Sequence, residues 1–598
     1  MSSAELFSSR LKHFEKAVRI QQRRFDILSN LRLWVVIAGI GAAVIAGYMG
    51  TIRQAVYAVL PFMLVFAFLV YIHRKVENLL NTAQTMVRIN QRYLERLREG
   101  WVEFADHGGE FVQKDHPYSN DLDIFGPKSL FQWLSVAQTF LGRQILFRLL
   151  AQPSKEINAI LTRQKAVREL AGKLEFCQEL ECRGAQTAKG PQNPEDLMAY
   201  ASETPSLGKT FRYIRILPLF TAAAFILYFV QWITVQVPVI LVLVQSLIVL
   251  GTFKKAGEPL NRVYSFKESL HSYRSMLELI ERQSFKDAYL SSLQADLFQD
   301  SQSASSAMKG LEVISNAIDF RYSMFYLLIN IGLLWDIQCA VRLARWKDRY
   351  GIRVGRWLEV IGTLEALCSL AVIGHIHPGW AYPDVEAGGQ RISARDLGHP
   401  LLHPEKCVHN DIDIDDYSCI VTGSNMSGKS TWLRTIGINL VLAYAGSPVC
   451  AQKFRCSVMD IYTSMEIHDD LIQGISTFYA ELKRIHLILE RSRLGQPMLF
   501  LIDEIFRGTN SLDRITGAKV VLRQLSQNGA IGLISTHDFE LCELEKEPWA
   551  KFKNYHFQEQ YTEGGIVFDY KLRPGRCSTS NARYLMKMVG IDIPETKT

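Results

Sequence analysis

The residues best suited to chemistry lie in the last third of the chain. GSNMSGKS, Gly423 to Ser430, follows the strand-like run SCIVT and precedes TWLRTIGINLVLAYAG, a helical pattern. A G-x-x-x-x-G-K-[ST] loop between strand and helix is built to wrap phosphate groups. Its glycines let backbone N–H groups turn inward, and the helix N-terminus adds partial positive charge. The spacing therefore predicts ATP as ligand, cradled by Gly423, Ser424, Asn425, Met426, Ser427, Gly428, Lys429, Ser430 and Thr431. Lys429 would reach the β- and γ-phosphates, and the Ser430 hydroxyl would ligate Mg2+. Downstream, PMLFLIDEIFRGTN reads as a buried parallel strand ending in carboxylates. Asp503 is placed to hold Mg2+, and Glu504 to polarise an attacking water as general base. A third strand, AIGLIST, delivers His537, where an imidazole can sense the γ-phosphate charge. Ser476 and Thr477 begin a well-capped helix that carries Glu481 in its first turns.

These segments need a parallel sheet with flanking helices, which places an α/β P-loop NTPase domain over 390–598. The rest of the chain is different in character. Hydrophobic residues make up 48% of the sequence and charged ones 21%, with a net charge of +7. The apolar excess is concentrated in blocks. Leu33 to Gly50 and Ala55 to Ile72 carry no charge, and neither does the stretch between Arg215 and Lys254. A span of about 20 residues crosses the hydrocarbon core, so four spans are expected, near 33–50, 55–72, 216–233 and 237–253. The alternative for each pair is a helical hairpin buried in a large soluble domain. Basic residues bracket both pairs: Arg23, Arg24, Arg32, Arg74 and Lys75 around the first, Lys209, Arg212, Arg215, Lys254 and Lys255 around the second. That pattern predicts a multi-pass protein of the cell membrane with the ATPase domain in the cytoplasm.

Between and after the hairpins the patterns are helical. The expected division is 1–110 for an amphipathic helix and first hairpin, 111–208 for a helical core segment, 209–257 for the second hairpin, and 258–389 for a helical lever. KSLFQWLSVAQTFLGRQILFRLLAQPS is expected as one helix that stops before Pro153. The ten cysteines are scattered without C-x-x-C spacing, which predicts reduced thiols.

VTGSNMSGKST, GISTFYAEL, FLIDEIFRGTN and STHDFELCEL, in this order, resemble the MutS family of ATPases. GHPLL at Gly398, SPVCAQKF at Ser447 and DYKLRPGRCSTSNARYLMKMVGIDIP at Asp569 are similar to landmarks flanking that ATPase, and RQKAVREL and LEALCSLAVI are similar to its helical core and lever. The resemblance implies an ABC-type or MutS-type ATPase fold preceded by an all-α core. It also implies a homodimer with composite sites, in which Ser476 contacts the γ-phosphate bound by the other subunit. Three features depart from the family. The N-terminal end holds an apolar pair where a mismatch-reading domain with a Phe-x-Glu wedge would stand. The second pair interrupts the helical core. Cys407, in EKCVHND, stands where the family stacks an aromatic on adenine.

Two functions follow. One is a membrane-anchored ATPase whose clamp encircles DNA, held through phosphate contacts that weaken with salt. The other is a mechanochemical ATPase that acts on a membrane partner without nucleic acid. A substrate transporter is disfavoured, because the spans hold almost no polar residue that could line a pathway.

Overall fold

The structure is a computed structural model that describes residues 2–50, 52–186, 193–203, 209–299, 302–465, 477–507, 509–562 and 565–577. The chain folds as two compact units. One comprises residues 1–94, 136–144 and 173–366, and the other 95–135, 145–172 and 367–598.

The second unit is built on ten strands: β1 (Asp384–Glu386), β2 (Arg391–Leu397), β3 (Asn410–Asp415), β4 (Ser418–Thr422), β5 (Lys453–Ser457), β6 (Asp460–Ser464), β7 (Met498–Asp503), β8 (Ile531–Thr536), β9 (Phe552–Thr562) and β10 (Gly565–Pro574). Six of them form a sheet in the order β10-β9-β4-β8-β7-β6, parallel throughout except for the antiparallel β9–β10 pair. A smaller antiparallel-rich sheet runs β1-β5-β2-β3. Strands β4, β7 and β8 are buried at every residue, which explains their unbroken apolar runs. Ile420, Phe500, Ile502 and Ile534 form a core with Ile488 and Leu522 of the flanking helices. The register sets Thr422 opposite Thr536 and Asp503 opposite Ser535. Hence the loops leaving β4, β7 and β8 emerge at one edge of the sheet.

This unit is larger than the expected 390–598. It recruits 95–135 and 145–172, which the sequence reading assigned mainly to a helical core segment, because they satisfy polar groups of the later chain. The helix Lys429–Ala445 ends at Gly446, with φ 87°. The Arg163 guanidinium donates to the last-turn carbonyls of Tyr444 (2.9 Å) and Ala445 (3.3 Å), a cation at the negative helix end. Asp121 Oδ2 accepts from Thr463 Oγ1 (2.6 Å) and the Met465 N–H (3.1 Å). Arg484 donates to the carbonyls of His116, Pro117 and Thr463.

In the other unit, helices Ser3–Met49 and Ile52–Leu97 pair along their length. Phe7 meets Tyr93, Phe25 meets His73, Arg32 covers Phe66, and Gly39 faces Phe62. Ascending numbers on one helix match descending numbers on the other, so the two run antiparallel. Lys267–Arg282 and Ala304–Ile318 pack through apolar stripes at helical spacing, with Arg274 bonded to Glu312 at 2.6 Å.

Among the described residues, four helical stretches are long and apolar enough to cross a membrane: Ser3–Tyr48, Val56–Leu97, Gln236–Tyr264 and Trp335–Ile376. The last is 83% buried inside the protein over its apolar window and is a core element. The span expected at 216–233 is helical only over Leu217–Phe229, roughly 20 Å at 1.5 Å per residue. It stops because the N–H groups of Gln231 and Trp232 turn back to Tyr228 and Leu227 while Gln231 adopts φ 61°.

The single helix expected before Pro153 is two, Leu130–Leu134 and Phe140–Ala151. Buried Glu365 breaks it by accepting the N–H groups of Gln138 (2.9 Å) and Thr139 (3.3 Å) and the Thr139 hydroxyl. Burial pushes the Glu365 carboxyl up to about 7.

Gly437 marks a tightly packed point behind the sheet edge. A Cβ there would lie 2.7 Å from the Leu122 methyls and 3.0 Å from a Leu501 methyl. Gly437→Val is therefore expected to destabilise the protein by about 1–3 kcal/mol through overpacking, read as a lowered thermal midpoint. An unchanged midpoint would contradict this packing.

Candidate functional site

The loop Gly423–Ser430 leaves β4 at the sheet edge. Gly423 and Gly428 hold φ 153° and 100°. A Cβ on Gly423 would lie 2.7 Å from Ser427 Oγ, and one on Gly428 would lie 3.0 Å from the Tyr570 ring, so both positions favour glycine. Met426 takes φ 67° without being glycine, and its side chain stands in solvent beside Asn425. Lys429 is buried, and its ammonium donates to the carbonyls of Gly423 and Ser424, each at 2.9 Å. Burial lowers its pKa, while Glu504 and Asp503 oppose that shift.

Asp503 closes β7 beside this loop. Its Oδ2 accepts from Ser430 Oγ at 2.7 Å and from Arg507 at 2.9 Å, and its Oδ1 accepts from Ser535 Oγ. Glu504 turns out at φ 53°, a left-handed conformation that costs about 1–3 kcal/mol in a residue with a Cβ. The turn is held from both sides. The Glu504 N–H donates to Ser535 O at 3.1 Å, and the Phe506 N–H donates to buried Glu481. Burial raises the Glu481 carboxyl.

His537 Nε2 lies 2.8 Å from Glu504 Oε1 and 3.3 Å from Lys429 Nζ. One ring nitrogen cannot both donate to a carboxylate and accept from an ammonium. The shorter contact identifies Nε2 as the donor to Glu504. This bond, above all, holds the Glu504 carboxyl below the usual range, with Arg507 (3.2 Å from Oε2) assisting.

The structure thus brings Lys429, Ser430, Asp503, Glu504 and His537 into one constellation. Ser424 lies beside them, bonded to Glu559 at 3.1 Å, and Thr431 lies in the first turn of the helix. Ser476 lies outside the described residues. The sequence reading missed Arg507 and Ser535. The only signal was their position, four residues after Asp503 and two before His537, because neither belongs to the phosphate-loop pattern. Glu481 was noted only as part of a capped helix.

The residues fit a magnesium nucleotide. Ser427 Oγ is buried with no hydrogen-bond partner, inside the loop that would wrap phosphates. A cavity of about 1060 Å³ opens over the loop, lined further by Cys407, Val408, Asp503, Glu504 and Tyr570. Among the described residues no group of three or more His, Cys, Asp or Glu is arranged to hold a metal ion. A cation here would therefore rest on Ser430 and Asp503, hard oxygen donors of the kind Mg2+ takes together with phosphate oxygens.

Arg514 anchors the turn after His537 through a bidentate pair with Asp538, at 2.8 and 2.7 Å. Arg514→Ala is expected to cost about 1 kcal/mol in chemical denaturation, with only partial recovery in Arg514→Lys, which cannot form the fork. Equal stability of wild type and Ala variant would contradict this anchoring.

Comparison with known proteins adds the lineage. Residues 419–596 match the model of MutS domain V. DNA mismatch repair protein MutS of Aquifex pyrophilus is 32% identical over 245 residues, covering 40% of this chain and 28% of that protein. MutS of Thermus thermophilus is 33% identical over 258 residues (43% and 30%), and MutS of Thermus aquaticus is 34% identical over 239 residues (40% and 28%). The chain spans less than a third of the length of these relatives. Its helical N-terminal part and mixed α/β C-terminal part fit a protein that carries this domain. The similarity to the MutS family therefore lies in the C-terminal part of the chain, which matches MutS domain V.

Proposed function

We propose that this protein is a membrane-anchored ATPase of the MutS type. The observation that carries the reading is the convergence of Lys429, Ser430, Asp503, Glu504 and His537 at one sheet edge, under a loop whose glycines exclude side chains from the phosphate path. Lys429 holds the β- and γ-phosphates, and Ser430 with Asp503 holds Mg2+. The bound cation neutralises phosphate charge. Glu504, kept ionised by His537 and Arg507, accepts the proton of the attacking water. His537 orients that carboxylate and ties it to the phosphate end of the site. In this reading the chain works as a homodimer with Ser476 supplied in trans, and closure drives a clamp on mismatched or structured DNA. The names of the relatives, DNA mismatch repair proteins, favour that ligand.

The protein would reside in the cell membrane with its ATPase domain in the cytoplasm. Support comes from the surface of the apolar helices. Trp34 is 66% exposed, Leu64 66%, Leu247 69% and Leu250 75%, a surface suited to lipid. The same surface favours a second reading, a mechanochemical ATPase that works on a membrane partner without nucleic acid, since DNA scanning gains little from attachment to a bilayer.

ATP turnover by detergent-purified protein, with Glu504→Gln as the hydrolysis-deficient blank, separates the readings. Stimulation by branched or mismatched duplex that fades as salt rises supports the clamp, and turnover indifferent to every DNA favours the membrane partner. Turnover in Glu504→Gln equal to wild type would remove the assigned base. For the anchor, the expected outcome is retention in membranes after alkaline carbonate washing, and release into the soluble fraction would contradict it.

A further inference from the structure

Away from the phosphate loop, one wall of the cleft carries Cys407, which sits near His409 and Cys450 in a cluster that phosphate chemistry does not use. Cys407 is half-buried and lines the cavity. Its sulfur accepts from the His399 N–H at 3.3 Å and lies 3.7 Å from the His399 carbonyl, and the Cys450 thiol and His409 act on its charge. His409 is oriented from behind, with Nδ1 3.1 Å from the Asp396 carbonyl and 3.2 Å from the Asp396 carboxylate.

Gly398 makes the approach possible. A Cβ there would lie 2.8 Å from both Cys407 Sγ and His409 Nε2, so only glycine leaves the thiol and the imidazole free to meet. Asn439 fixes the other side, donating to Gly398 O at 3.0 Å and accepting from the Cys450 N–H at 2.8 Å. The Gly398 N–H in turn donates to Cys450 O at 2.8 Å. Gly398 is thus bonded to the Cys450 backbone on one side and faces the Cys407 sulfur on the other.

We propose that Cys407 is a peroxide-reactive thiol with His409 as its activating partner and Cys450 as its resolving thiol. The Cys407 thiolate attacks a hydroperoxide oxygen: the S–O bond forms, the O–O bond breaks, and the departing hydroxide or alkoxide takes a proton from solvent. Cys450 then attacks the sulfenic sulfur. The S–S bond forms, the S–O bond breaks, and the hydroxyl leaves as water with the Cys450 proton. In sum, two thiols are oxidised to a disulfide while the peroxide is reduced to water, or to an alcohol and water. The hydrogen bonds from Cys450 and His399 and the adjacent His409 draw the Cys407 thiol down to about 6, whereas its thiolate and burial push Cys450 well above the ordinary range. Attack is therefore assigned to Cys407. Conversion of Cys407 to neutral sulfenic acid removes the charge that opposes ionisation of Cys450. The other eight cysteines are buried, which leaves Cys407 as the accessible thiol among the described residues.

The test uses full-length protein in detergent, without nucleotide, so its outcome is separate from the fate of the ATP reading. After hydrogen peroxide, non-reducing peptide mass mapping is expected to show a Cys407–Cys450 disulfide that dithiothreitol reverses. Cys450→Ser should stop at a dimedone-trappable sulfenic acid on Cys407, and Cys407→Ser should give neither product. His409→Ala should slow alkylation of Cys407 by iodoacetamide at neutral pH roughly tenfold. Cys407 left unmodified by peroxide in both wild type and Cys450→Ser, with circular dichroism unchanged, would overturn the proposal. Alkylation of Cys407 no faster than that of the buried cysteines would do the same.

Discussion

The site rests on the burial of one ammonium group. Lys429 would be costly to bury alone, and the loop solves this by turning the carbonyls of Gly423 and Ser424 onto it. That inward turn demands the left-handed glycine at 428 and the open one at 423. It also demands carboxylates nearby, and the sheet register supplies them. Asp503 and Glu504 arrive from β7 and His537 from β8, the strand that lies between β7 and β4. A chain of hydrogen bonds then distributes the charge. Ser430, Ser535 and Arg507 share Asp503, while His537 and Arg507 share Glu504. His537 and Arg507 hold the Glu504 carboxyl below its usual range.

What lies behind the sheet serves this arrangement. The helix that begins at Lys429 packs tightly at Gly437 and is closed at its far end by Arg163, from a segment more than 250 residues earlier. Glu481 holds the Phe506 N–H in the strained turn after Glu504. Strain at functional turns persists where neighbouring contacts over-determine the backbone, and here buried Glu481 and the Glu504–Ser535 backbone bond provide them.

Local sequence made the positions of the candidate site legible. GSNMSGKS between strand and helix, the apolar run ending at Asp503, and AIGLIST before His537 each encode position through periodicity and spacing, which a single sequence carries. The long uncharged runs likewise marked apolar helices. The tertiary bookkeeping was not legible. Residues 116–121 serve Arg484, Thr463 and Met465, and Arg163 serves Tyr444, through contacts whose sequence separation leaves no local pattern. The break at Ser135–Thr139 has the same origin, since its N–H groups are satisfied by Glu365, more than 200 residues away. The short helix Leu217–Phe229 shows the limit of composition: hydropathy continues past Val230, but backbone turns at Gln231 and Trp232 end the helix. The sequence marks Cys407 only by the aromatic it replaces, and the imidazole of His409 and thiol of Cys450 near it are visible only in three dimensions.

The proposed nucleotide site hangs on the carbonyl-held ammonium of Lys429. The decisive experiment is equilibrium binding of a fluorescent ATP analogue to wild-type and Lys429→Ala protein, with magnesium present and the fold checked by circular dichroism. Saturable binding is expected in the wild type, and its loss in the variant. Equal affinity in both proteins would contradict that dependence.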